Sequence, residues 1–181
     1  TVNRVNSIFQ RELSVQFQLI DDNDSLIYVD PETDPFTGND NTEILIDESQ
    51  SVIDDVVGSG AYDVGHTFST GDGGLAQVGP CEDSDKARGV SGVSNPVGDS
   101  FDVDYVAHEL GHQFGMDHTF NSLICLENRV ATAAFEPGAG TTIMGYAGSC
   151  ATDDLQSNSD AIFHSFSFEQ AANFIESGSG A

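Results

Sequence analysis

The sequence predicts a single mixed α/β (α+β) domain, with strands and helices mixed early and helix plus loop dominating late. Three observations lead there. A chain of 181 residues and 19.2 kDa is long enough to enclose one core and too short for two comfortable ones. Hydrophobic residues make up 38% and aromatic residues 9%, which excludes a disordered chain. Apolar periodicity switches between the helical and the extended pattern through the first half. The expected domain covers 1–176, divided into 1–115 and a small loop-rich part 116–176, with a flexible tail at 177–181.

Val2, Val5, Ile8 and Phe9 recur at helical spacing and predict a first helix ending near Leu13. Val15, Phe17 and Leu19 alternate with Gln16 and Gln18 and predict a strand at 15–20, with a second at 25–30. Two acidic loops accompany them, Asp21-Asp22-Asn23-Asp24 and a longer one from Asp30 through Glu32, Asp34 and Asp40 to Asn41. Thr42 is the expected cap of a second helix, with Ile44, Leu45, Val52, Ile53, Val56 and Val57 as its buried stripe and Gly58 as its stop. Residues 64–69 predict a third strand, 71–74 a turn, 75–78 a fourth strand and 89–93 a fifth. A third helix is expected from near Asp102 to Gly115, loop over 121–140, and a last helix from Ser167, where Ser167 and Gln170 fit a capping box.

Lys+Arg total 5 against Asp+Glu 30, a formal net charge of -25. A surface this acidic repels phosphate, which excludes nucleic acid and anionic membranes as partners. No apolar run approaches the roughly 18–20 residues that a membrane span needs. Like charge also destabilises the compact state, so salt, bound cations or both are expected to offset it. The acidic loops are the first calcium candidates, because calcium takes several oxygens. They lack the turning glycine that an EF-hand would place after Asp34, and Asp153, Asp154 and Asp160 form a second group. None of the three cysteines forms a CxxC pair, which excludes a zinc ribbon. In an exported protein two would pair; Cys125 and Cys150 flank a loop-rich stretch and are the expected bridge, leaving Cys81 without a partner. Thr1 opens the chain without a basic and apolar leader, as in a processed mature domain or a cytosolic protein.

The chemistry concentrates in His108-Glu109-Leu110-Gly111-His112-Gln113-Phe114-Gly115-Met116-Asp117-His118. His108 and His112 are one helical turn apart and share a face, where two imidazoles can grip one zinc ion at about 2.0–2.1 Å. A straight helix could not deliver His118 to the same ion, but Gly115 can take a left-handed conformation and turn the chain back. Three neutral ligands leave the ion its full charge and a fourth position for water, whose pKa falls to roughly 7. Glu109 follows the first ligand, beside the metal rather than on it, as a general base needs. Three of the chain's five histidines fall within this segment. His66 and His164 stand alone and read as hydrogen-bonded structural histidines, and Asp102 and Asp104 as complements to the helix dipole.

This extended motif resembles that of the metzincin clan of zinc metallopeptidases. The resemblance implies a twisted, mostly parallel sheet of about five strands with an antiparallel edge strand, above the active-site helix. It also implies a methionine turn, here Thr141-Thr142-Ile143-Met144-Gly145-Tyr146, with Met144 beneath the three histidines. Within the clan, Gly74-Leu75-Ala76-Gln77-Val78-Gly79-Pro80-Cys81 resembles the upper edge strand of the reprolysin (adamalysin) group, which pairs with a bound peptide. Gly74, Leu75 and Ala76 are the implied substrate-binding residues. Reprolysins carry Asp after the third histidine, whereas Thr119 stands here, and His118-Thr119-Phe120 is closer to pappalysins. Tyr146 sits at the spacing found in astacins, serralysins and pappalysins, which implies a hydrogen bond to the developing oxyanion. Over 74–150 the chain is most similar to bacterial, secreted reprolysin-like peptidases. That likeness implies a zinc-dependent endopeptidase with protein or peptide substrates, a monomer released from an N-terminal propeptide.

Overall fold

The computed structural model describes residues 1–82 and 84–177, so the expected tail beyond Ser177 lies outside the described residues. Helix α1 spans Val2–Leu13 and buries Val5, Ile8 and Phe9, as its spacing predicts. Helix α2 spans Thr42–Val57, but its N-cap is Asn41, whose side-chain oxygen accepts from the amides of Glu43 and Ile44. Its buried face carries Leu45, Ile46, Ser49, Gln50 and Ile53, while the expected Ile44 and Val56 are exposed. The stripe is rotated because the buried polar residues have partners. The Ser49 hydroxyl meets that of Thr67, and the Gln50 amide oxygen accepts from Ala87 N–H. An apolar-only pattern cannot anticipate them.

Strands β1 (Thr67–Ser69), β2 (Gly73–Ala76) and β3 (Gly89–Gly92) form a sheet in the order β1-β3-β2. β1 runs parallel to β3 and β2 antiparallel to it, with Gly74 opposite Ser91 and Leu75 opposite Val90. An antiparallel strand therefore forms the edge, two residues earlier than its predicted start. The sheet has three strands among the described residues, not the expected five. Residues 15–20 run extended, but Phe17 satisfies its backbone through Asn6, whose amide donates to Phe17 C=O and whose oxygen accepts Phe17 N–H, both at 2.7 Å. The second predicted strand is pre-empted by a 3₁₀ turn at Asn23–Leu26.

Helix α3 (Asp99–Phe101) continues through π-helical turns at Asp102–Ala107 into α4 (His108–Gln113). This rod is the centre of the main apolar cluster. Val5, Ile8 and Phe9 pack against it from α1, with Phe101, Val106, Leu110 and Phe114 from the rod and Ile143, Met144 and Phe163 from later loops. The 121–140 stretch is not plain loop: β4 (Phe120–Asn121) pairs parallel with β5 (Glu136–Pro137). Helix α5 spans Ser165–Glu176 and starts two residues before the expected capping box. His164 caps it by accepting Phe166 N–H at 3.1 Å, and Ser167 is buried inside the first turn.

Candidate metal centre

Helix α4 presents His108 and His112 on one face, and the chain then turns at Gly115, whose φ is +82°. That left-handed residue is the bend the sequence requires, and Met116 N–H closes it onto Gly111 C=O at 3.0 Å. His118 returns to the same place. The three Nε2 atoms lie 2.9–3.1 Å from one another. Each Nδ1 lies 2.7 Å from a backbone carbonyl: His108 from Ile143, His112 from Met116 and His118 from Asn128. A carbonyl can only accept, so each Nδ1 carries the proton and each Nε2 offers a lone pair. Three lone pairs facing one another repel, and a shared cation resolves that arrangement. Nitrogens disposed tetrahedrally around zinc would stand about 3.3 Å apart, close to the spacing here. Burial lowers the pKa of all three rings, His112 to about 4, with mutual repulsion adding for His108 and His112. They are neutral, as metal ligands must be.

Glu109 is buried beside this face, and burial pushes its carboxyl up to about 8. Its position is fixed from above by β2. A methyl group added at Gly74 would stand 2.2 Å from Glu109 Oε1 and 2.6 Å from its Cδ, so the edge strand rests on the carboxylate through a missing side chain. Met144 is fully buried, and a methyl group on Gly111 would meet its sulfur at 2.5 Å. The thioether thus lies directly against the helix that carries His108 and His112. Tyr146 stacks on Phe120 with ring centres 4.5 Å apart and meets the His118 ring edge-on at 4.6 Å. Burial, with the Glu109 charge adding, raises its phenol to about 12, so it is a hydrogen-bond donor at neutral pH. Beside it opens a pocket of 450 Å³ walled by Ile124, Leu126 and Asn128.

Cys125 and Cys150 are joined by a disulfide, and Cys81 is free. The bridge anchors the segment whose Asn128 carbonyl holds His118. His66 is half-buried between Gln113 Oε1 and Ser91 Oγ, both at 2.9 Å, the structural setting expected for it. His164 is the α5 cap. Asp104 accepts from the Asn158 side chain and Ser159 N–H, tying the rod to a late loop. Arg88 pairs with Asp47 and Asp85, and Lys86 lies over the Tyr62 ring. The calcium expectation finds no support. Among the described residues the three histidines are the grouping able to hold an ion. In the second acidic group, Asp153 accepts from the Ser122 hydroxyl and Leu123 N–H, and Asp154 from Cys150 N–H.

The sequence reading missed Glu136, a buried carboxylate that accepts from Thr119, Thr141 and Thr142. A signal existed: it is the one acidic residue between Glu127 and Asp153 in a chain with 30 of them. It also missed the three ring-orienting carbonyls, which leave no trace in side-chain identity.

No curated protein matches this chain. A family model described as metallopeptidase family M12B, reprolysin-like, matches residues 1–173, which extends the likeness well before Gly74. No helix among the described residues is long and apolar enough to cross a membrane. With almost the whole length matched and the histidines gathered to one point, the chain belongs to the M12B reprolysin-like metallopeptidases.

Proposed function

We propose that the protein is a zinc-dependent endopeptidase in which Glu109 is the general base. The observation that carries this reading is the convergence of three neutral imidazoles, each Nδ1 already committed to a carbonyl. Zinc held by His108, His112 and His118 supplies a water acidified toward neutral pH and a Lewis acid for the substrate carbonyl. Glu109, ionised beside that charge, takes a proton as the water oxygen bonds to the carbonyl carbon. The C–N bond then breaks, and Glu109 returns the proton to the departing amine. Tyr146 donates its phenolic proton in a hydrogen bond to the developing oxyanion. The peptide lies along Gly74, Leu75 and Ala76, whose strand has no partner on its outer side among the described strands. Met144 is the apolar floor. The domain is read as 1–176, cleft between 1–115 and 116–176.

The same reading makes the enzyme extracellular, which the disulfide supports, and, following its family likeness, a monomer freed from a propeptide. Metal quantification of the purified protein, with cleavage of a peptide library before and after chelation, tests the reading. One zinc per chain and chelator-sensitive internal cleavage are expected. Cleavage that survives complete metal removal would sink it.

A further inference from the structure

We infer that Glu136 is a positioning residue of the zinc site, acting through the two segments that hold the first and third histidines. The inference rests on the zinc reading above. Oε1 accepts from the hydroxyls of Thr119 and Thr142, both at 2.5 Å. Oε2 accepts from Thr141 N–H at 2.8 Å and Thr142 N–H at 3.1 Å. Thr119 directly follows His118, and Thr142 directly precedes Ile143, whose carbonyl orients His108. One side chain therefore sets the distance between the third ligand and the carbonyl that steers the first. Backbone bonds close the same loop: Glu136 N–H donates to Thr119 C=O at 2.8 Å, and Thr119 N–H to Met144 C=O at 3.0 Å.

A buried carboxylate is a poor choice for packing alone, because it must be fully hydrogen-bonded merely to offset its lost hydration. Here the site is built to receive it. Burial pushes its pKa up, yet the Thr119 and Thr142 hydroxyls and the two amides outweigh that and hold it below the usual range. Gly140, with φ +74°, leaves room that a methyl group would take, 3.1 Å from the Glu136 carboxyl carbon. Thr119 explains the need. The residue after the third histidine carries only a hydroxyl, and the carboxylate that holds it arrives from β5.

Zinc affinity by chelator competition, the visible spectrum of the cobalt-substituted protein and thermal unfolding would be measured for wild type, Glu136→Ala, Glu136→Gln and Thr119→Val. Outer partners of metal ligands are commonly worth about 10–100-fold in affinity, and Glu136→Ala should lose that much and alter the cobalt spectrum. Glu136→Gln should recover most of the loss, since its amide oxygen can serve the two amides while the threonine hydroxyls reverse to accept. Thr119→Val should fall between them. Ser49→Ala is the control, removing a buried hydroxyl contact remote from the histidines, to Thr67. It should cost stability and leave zinc affinity within about threefold. Should Glu136→Ala not fold, the order of the Gln and Val variants decides. Wild-type affinity in Glu136→Ala, Thr119→Val no weaker than Glu136→Gln, or an equal loss in Ser49→Ala overturns the inference while leaving a zinc-binding, chelator-sensitive peptidase intact. A wild type that binds no zinc removes the functional reading itself, and this inference with it.

Discussion

At the scale of single residues, the proposed mechanism separates the three histidines that would hold the ion from Glu109, which would move protons. Glu109 touches none of the histidine anchors, so Glu109→Ala should keep stoichiometric zinc while kcat falls by roughly 10²–10⁴-fold, the usual worth of a general base. Retained turnover in the zinc-loaded variant would remove Glu109 from the chemistry. Gly74 tests the same carboxylate from the other side. Gly74→Ala drives a methyl group into Glu109 Oε1 and should lower kcat/KM by roughly 10²-fold with metal content unchanged, the cost of a small misplacement. His66 makes a pH prediction. Burial holds its folded-state pKa at about 4, against 6.5 ordinarily, so the native state rejects a proton that the unfolded chain accepts. Its contribution is complete above about pH 6.5 and is lost as pH falls toward 4, about 3 kcal/mol in all. Urea unfolding at pH 7 and pH 4.5 should show His66→Gln less pH-sensitive than wild type; parallel profiles would refute this. The converging histidines, their bend and the neighbouring Glu109 were legible in sequence because such a cluster is written in residue types at fixed spacing. Glu136 and the three steering carbonyls were not, because their partners meet only through long-range backbone placement.

At the scale of elements, the helices and the three paired strands β1, β2 and β3 were readable to within a few residues, and the two strands expected before them were not. α1 and α4 follow from local apolar spacing and a terminal glycine. The strand expected at 15–20 has the right alternation, but a strand exists only through its partner, and Asn6 took the hydrogen bonds of Phe17. The α2 stripe was misjudged for a related reason: Ser49 and Gln50 are buried because neighbours remote in sequence satisfy them. The loop between β4 and the methionine turn carries a further prediction. The disulfide closes a separation of 25 residues and secures the strip that includes Asn128. Replacing Cys125 and Cys150 by serine should cost about 3 kcal/mol of stability. It should also weaken zinc binding, because His118 loses a fixed acceptor; calorimetry and chelator titration would check both, and an unchanged zinc affinity would detach the bridge from the metal centre.

At the scale of the whole molecule, the excess of acid decides the working conditions. Arg4, Arg11 and Arg88 are already paired with Asp99, Glu12 and Asp47, so the remaining carboxylates face mainly one another across solvent. Raising ionic strength from about 0.1 M to 1 M shortens the screening length from about 10 Å to 3 Å. The melting temperature should therefore rise with sodium chloride over that range, as scanning calorimetry would record; a flat response would reduce the charge to a solubility device. The contact between Gly74 and Glu109 has its own consequence at this scale. Side chains alternate along a strand, so sliding β2 by one position would set the bulk of Leu75 over the carboxylate. Chain length between β1 and β2 is thereby metered to the single residue. One amino acid removed there would press Leu75 onto Glu109, whereas the same loss among Asp21 to Asp24 would pass almost unnoticed.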